Sequence, residues 1–172
     1  HYSVIGGWLP EFLQSNKKIV KYLKNFEAIY VETETMKQKL EKLELNNIVY
    51  MPNFKNIKPV LTSDMPKYYS KSFPLCTFSR VSKEKGIIDA ITAVKKFNEK
   101  IGEMAFKLDI YGAIEQDFEI ELNDAINNSN KCAEYKGVIN SDKSTEVLKN
   151  YFALIFPTYY MGEGFPGTII DA

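Results

Sequence analysis

Histidine and arginine are nearly missing from this 172-residue chain, which has one of each, His1 and Arg80. With its single histidine at the first position, residues 2 to 172 can assemble no H-E-x-x-H zinc site, no His-rich metal cluster and no Ser-His-Asp triad. Cysteine is scarce as well. Cys76 and Cys132 lie 56 positions apart and form no C-x-x-C pair, which reads as two buried free thiols of a reducing compartment. Neither sign of charge is in excess: Lys plus Arg is 22 and Asp plus Glu is 22, so the chain lacks the basic surplus of a nucleic-acid binder. The apolar runs are only a few residues long, too short to span a bilayer. No basic-then-apolar leader opens the chain.

What is present is 45% hydrophobic, 13% aromatic and 26% charged, the composition of a soluble globular protein with a real core. The first segment, Leu9 to Phe26, has a helical pattern, with Ile19, Tyr22, Leu23 and Phe26 on an apolar face and Lys17, Lys18, Lys21 and Lys24 on a basic one. Ala28 to Val31 reads as a strand, Thr33 as the cap of a helix bearing Met36, Leu40 and Leu43, and Ile48 to Met51 as a second strand stopped by Pro52. Between Pro52 and Pro74 four prolines punctuate a stretch with no lasting period, so a domain boundary is expected, with residues 58 to 74 as linker. Residues 1 to 57 then belong to the last part of one domain, and 75 to 172 to most of another.

The second part alternates strand and helix. Strands are expected at Leu75 to Phe78, Lys107 to Tyr111, Glu134 to Val138 and Ala153 to Phe156. The intervening helices are Gly86 to Ile101 (with Ala90, Val94, Phe97 and Ile101 on one face), one striped by Phe118, Leu122, Ala125 and Ile126, and one from Ser141 or Asp142 to Tyr151. This alternation predicts an α/β fold: a Rossmann-like parallel sheet with helices on both faces. The absence of an opening Met, and a last segment that reads as the first turn of a helix, predict a fold incomplete at both ends.

Ligands of such sheets bind outside the carboxyl ends of the strands. The loop after the 75–78 strand, Ser79 to Gly86, puts Arg80 at the strand end and Lys85 beside the next helix N-terminus, which makes an anion site. The loop Thr158 to Gly167 carries glycines at 162, 164 and 167, with Glu163 in the loop and Asp171 eight positions on. Carboxylates so placed can accept hydrogen bonds from the neighbouring hydroxyls of a sugar.

Gly162-Glu163-Gly164-Phe165-Pro166-Gly167-Thr168-Ile169-Ile170-Asp171-Ala172 resembles the E-x7-E region of GT-B glycosyltransferases of the group 1, or family 4, kind. Ser79-Arg80 followed by Lys85-Gly86 is similar to that family's diphosphate-binding segment. Ile110-Tyr111-Gly112 and Tyr135-Lys136-Gly137-Val138 fall where the family has strand-end loops beside the nucleotide, and Tyr50 to Phe54 resembles the exit from its first domain. The resemblance implies two Rossmann-like domains facing a cleft, with the acceptor mostly on the first and the nucleotide sugar mostly on the second. Arg80 and Lys85 would hold the diphosphate and Glu163 the donor sugar, with the Gly164 and Phe165 N–H groups nearby and Gly112 and Val138 beside the nucleotide. Asp171 stands where the family usually has a ribose-binding Glu and is one methylene shorter. Gly6 and Gly7 read as a loop on the acceptor side or as a plain turn.

The activity so implied is retaining transfer of a sugar from a nucleoside-diphosphate donor to a glycan or lipid-linked acceptor, in the cytoplasm, within surface-polysaccharide synthesis. Members of that family lack the D-x-D metal motif, as this chain does, and the resemblance implies that no metal and no other cofactor is needed. The lysine face of the first helix suits peripheral contact with the inner face of the membrane, or is simply solvated. The same pattern leaves open a GT-B sugar-nucleotide epimerase and a nucleotide-binding module without turnover.

Overall fold

A computed structural model describes residues 2–5, 7–56, 59–67 and 72–172, with side chains described from residue 7 onward. Packing divides the chain into two units, His1–Lys55 with Tyr160–Ile170, and Asn56–Tyr159 with Asp171–Ala172.

The first unit holds a three-stranded parallel sheet in the order β1 (Tyr2–Ile5), β2 (Ala28–Val31), β3 (Ile48–Tyr50). β1 carries no strand expectation from the sequence, because four residues beside two glycines leave no period to read. The expected single helix from Leu9 to Phe26 is two helices, α1 (Leu9–Ser15) and α2 (Lys17–Leu23). Asn16 breaks them apart: its backbone leaves the helical region at φ −126° and ψ 51°, and its Nδ2 donates to the Phe12 carbonyl at 2.9 Å. A side chain that bonds its own backbone competes with the helix ladder. α3 (Glu34–Glu41) starts at Thr33, whose Oγ1 accepts from the Met36 N–H at 3.2 Å. Leu13, Ile29, Val31, Met36, Leu40, Leu45 and Ile48 form the core, and Ile19, Leu23 and Phe26 pack onto it. Tyr22, expected on the apolar face, is 59% exposed instead, with Lys21 Nζ over its ring.

In the second unit four parallel strands lie in the order β6 (Ala133–Gly137), β5 (Phe106–Tyr111), β4 (Phe73–Phe78), β7 (Ala153–Leu154). β4 takes in Phe73 and Pro74, which the proline-rich reading assigns to linker; among the described residues of that stretch, the regular element is a short 3-10 turn at Thr62–Asp64. α4 (Ile87–Ile101) runs between two left-handed glycines, Gly86 and Gly102. Its Ile87, Ala90, Ile91 and Val94 pack with Leu122 of α5 (Glu119–Asn127) against Leu75, Leu108 and Ile110. The buried face stops there, since Phe97 and Ile101 are 46% and 42% exposed. The crossovers through α4 and α5 step one way across the sheet, whereas α6 (Ser144–Leu148) returns past β5 and β4 to β7. Crossovers of the usual right hand therefore carry α4 and α5 to one face and α6 to the other. Tyr151, just after α6, agrees: its hydroxyl donates to Asp109 Oδ2 at 2.7 Å, and Asp109 alternates with Leu108 and Ile110 along β5. α7 (Gly167–Asp171) closes the described chain.

Candidate functional site

β4 lies between β5, reached by stepping one way, and β7, reached by returning, so the sheet reverses its winding between β4 and β7. The crevice at the carboxyl ends of two such strands is where open parallel sheets bind ligands. Both strand ends meet there. The Tyr159 N–H donates to the Glu84 carbonyl at 3.0 Å, joining the segment after β7 to the Ser79–Gly86 loop after β4. Gly86, at φ 68°, adopts the left-handed region, and a Cβ on it would overlap the Pro157 carbonyl oxygen. The loop and the segment after β7 are therefore in backbone contact at this glycine.

Arg80 stands exposed at the end of β4, while Lys85 is only 9% exposed, its Nζ 5.9 Å from the centre of the Phe156 ring. An ammonium that has given up most of its water keeps more of its Coulomb energy for a nearby anion than one on an open surface. Gly112 follows β5 at φ 137° with its α-carbon against the Ser79 carbonyl, and its N–H donates to the Gly137 carbonyl at 2.9 Å. Tyr135 Oη donates to the Gly112 carbonyl at 2.8 Å, so the turn is held from both sides by β6. Val138, 65% exposed, comes next after β6. Arg80, Gly112 and Val138 thus mark the carboxyl ends of three adjacent strands, with Lys85 on the helix side of the first.

Asp171 belongs to this second unit as well and is 8% exposed. Ser144 Oγ lies 2.8 Å from both Asp171 Oδ2 and the Ser141 carbonyl, and its one proton serves one of them at a time. The carboxylate expected to meet a ribose thus already has a hydroxyl beside it. Behind the sheet, burial and then hydrogen bonds to Tyr111 and Asp109 push the Tyr151 hydroxyl well above its ordinary pKa. Burial, followed by the charge of Asp109, raises the Cys76 thiol to about 12. Both cysteines are free and buried.

Glu163, Gly164 and Phe165 fall in the first unit with Gly7, while Gly6 lies outside the described residues. Phe165 donates its N–H to Glu32 Oε2 at 2.9 Å and accepts at its carbonyl from Asn53 Nδ2 at 3.0 Å. Gly7 donates to the Gly162 carbonyl at 3.3 Å, and a Cβ on it would overlap the Glu163 carbonyl oxygen. The sequence does not single out Glu32, and Asn53 enters only within the Tyr50 to Phe54 stretch, with no site role. Their signal was positional, since each follows the carboxyl end of a parallel strand. Among the described residues no group of three His, Cys, Asp or Glu side chains could hold a metal ion, and no helix is long and apolar enough to cross a membrane.

Neither a family model nor a curated protein matches the sequence. Solved structures do match in fold. S. aureus TarM, solved with fondaparinux, α-GlcNAc-glycerol and UDP, superposes with a TM-score of 0.75 at 21% identity over 99% of this chain and 34% of its own. The pneumococcal O-GlcNAc transferase GtfA, solved with UDP and GlcNAc, gives 0.71 at 21% identity, covering 92% of this chain and 30% of its own. Anabaena HepE, solved with UDP and glucose, gives 0.70 at 16% identity over 91% of this chain and 46% of its own. The chain has the GT-B glycosyltransferase fold. It spans between 30% and 46% of the length of these three GT-B proteins.

Proposed function

We propose that this GT-B chain transfers a sugar, with retention of anomeric configuration and without a metal, from a UDP-linked donor to a glycan or lipid-linked acceptor. The observation that carries the reading is the pair Arg80 and Lys85 on one loop at the winding reversal, one cation exposed and the other nearly buried. Breaking the bond between the anomeric carbon and the diphosphate oxygen leaves the electron pair on the departing UDP, while the sugar becomes oxocarbenium-like. Cations fixed in advance near that oxygen stabilise the charge as it develops and need not reorganise. In this reading the diphosphate lies against Arg80 and Lys85, with the uridine beside Gly112 and Val138 and its ribose hydroxyls at Asp171. Glu163 and the Gly164 N–H meet the sugar. Losing one cation costs about 3 kcal/mol of transition-state stabilisation, roughly a hundredfold in rate.

The UDP found with TarM, GtfA and HepE supports the choice of base. Surface-polysaccharide synthesis at the cytoplasmic face of the membrane is the setting we infer. The exposed Lys17, Lys18 and Lys21 support a peripheral contact there; Lys24, also exposed, is already 3.3 Å from Glu44. Calorimetric titration with UDP, GDP and ADP beside Arg80→Ala tests the reading. UDP alone should bind, and the variant should bind it at least about tenfold more weakly, a loss of about 1.4 kcal/mol. Equal binding of UDP by the variant refutes the role of Arg80.

A further inference from the structure

Phe165 sits between two peptide groups that the first unit holds separately. The N–H of the Gly164–Phe165 peptide donates to Glu32 Oε2 at 2.9 Å. The carbonyl of the Phe165–Pro166 peptide accepts from Asn53 Nδ2 at 3.0 Å. Pro166 has no N–H to offer and its carbonyl accepts from the Ile169 N–H at 3.1 Å, so these two groups are where side chains from outside the loop take hold of Phe165. Glu32 and Asn53 come from neighbouring places in the fold, directly after β2 and shortly after β3, which pair in parallel.

The glycines make room for this arrangement. A Cβ on Gly164 would overlap Glu32 Oε2 and stand 3.1 Å from its Cδ, so the carboxylate occupies the space that a side chain there would fill. A Cβ on Gly7 would lie 2.9 Å from the Glu163 carbonyl carbon, and one on Gly167 would lie 2.9 Å from Lys55 Cε. The backbone on both sides of Glu163 is thus in close contact with the first unit.

We infer that Glu32 and Asn53 are positioning residues: they clamp the Phe165 peptides and so fix the direction in which Glu163, two residues earlier, presents its carboxylate. The inference rests on the donor-sugar role proposed above for Glu163. A single backbone bond would leave the loop free to pivot. A donor and an acceptor engaged at the same α-carbon remove that freedom, which is the kind of restraint a group aimed at a reacting sugar needs. A carboxylate accepting from an N–H also makes a stronger bond than a neutral acceptor does.

Hydrogen exchange of the segment 162–167 in the full chain tests the clamp without reference to activity. Glu32→Ala and Asn53→Ala should each exchange about fivefold faster than the parent, and Glu32→Gln, which keeps an acceptor oxygen, should restore most of the protection. Unchanged exchange in both alanine variants overturns the clamp. With UDP-glucose as donor, Glu32→Ala should lower kcat about fivefold with KM within twofold, and Glu32→Gln should recover it. An unchanged kcat beside faster exchange overturns the positioning role. Tighter UDP-glucose binding by Glu32→Ala also overturns it, because Glu32 would then be competing with substrate for the Phe165 N–H. A chain that turns over no UDP-sugar refutes the proposed function, and exchange still decides the clamp.

Discussion

Replacing Gly112 with alanine puts a methyl group where the chain has no room for it, and the cost has two separable parts. One is backbone strain: φ is 137°, a conformation that an L side chain rarely adopts, worth about 1–3 kcal/mol. The other is overlap. The added Cβ would meet the Ser79 carbonyl oxygen and stand 2.7 Å from its carbon and 3.5 Å from the Arg80 nitrogen. The neighbour is backbone, held by the Ser79 N–H bond to the Tyr111 carbonyl at 3.2 Å, so it cannot rotate aside. Overpacking of this kind costs about 1–3 kcal/mol more, for a total of about 2–6 kcal/mol.

Gly137 provides the control. Its φ is 88°, yet a Cβ there meets nothing within 4 Å, so Gly137→Ala carries strain without overlap. Urea unfolding of the two variants, read at constant slope, should place Gly112→Ala at least about 1 kcal/mol below Gly137→Ala. Because the strain is relieved by moving Ser79 and Arg80, UDP affinity should fall in Gly112→Ala and not in Gly137→Ala. If the two variants unfold together, the contact between the β4 and β5 ends is not as described, and the argument for a site built on it fails.

Lys85→Met keeps most of the nearly buried stem and removes the charge, so UDP should bind at least about tenfold more weakly, and equal binding by calorimetry refutes the role of Lys85. Tyr151→Phe deprives Asp109 and Tyr111 of a hydroxyl that lies 2.7 Å from each, and should cost about 1–2 kcal/mol by urea unfolding. The Cys76 thiol, pushed up to about 12 from 9.0 by burial and then by Asp109, stays protonated in the fold after it ionises in the unfolded chain. Stability from this group is complete well below pH 9 and drains away as pH rises towards 12; by pH 10 the loss is about 1 kcal/mol, and Cys76→Ala should lack that component.

Most of the second unit was legible because its signals are local. Leu75 to Phe78, Lys107 to Tyr111 and the Ala90–Val94 face are apolar patterns that a few neighbouring residues determine, and the short alternation fixes a parallel sheet through the need for crossovers. Helix ends were harder. Phe97 continues the period of α4 but lies at the margin of the core, where it is 46% exposed and meets Phe106, the first residue of β5, edge-on at 5.4 Å. Asn16 looked like one more polar residue on a helix, and only its own bond to Phe12 makes it a break.

The loop from Tyr160 to Ile170 is the instructive case, because its motif and its packing are separate kinds of information. The motif is eleven consecutive residues and survives any reading along the chain. Its packing depends on Phe165 meeting Glu32 and Asn53, partners 133 and 112 positions away, and no period or cap encodes a meeting at that range. The glycines of the loop are legible as permission for close approach, but they do not say what approaches. In this chain the answer at Gly164 is a glutamate side chain, and at Gly7 it is the backbone of Glu163 itself. Close approach by the protein's own groups therefore accounts for these glycines without a ligand. Arg80 and Lys85 carry the functional reading more firmly, because they put two cations, one exposed and one nearly buried, on a single loop at the strand-end crevice where parallel sheets bind ligands.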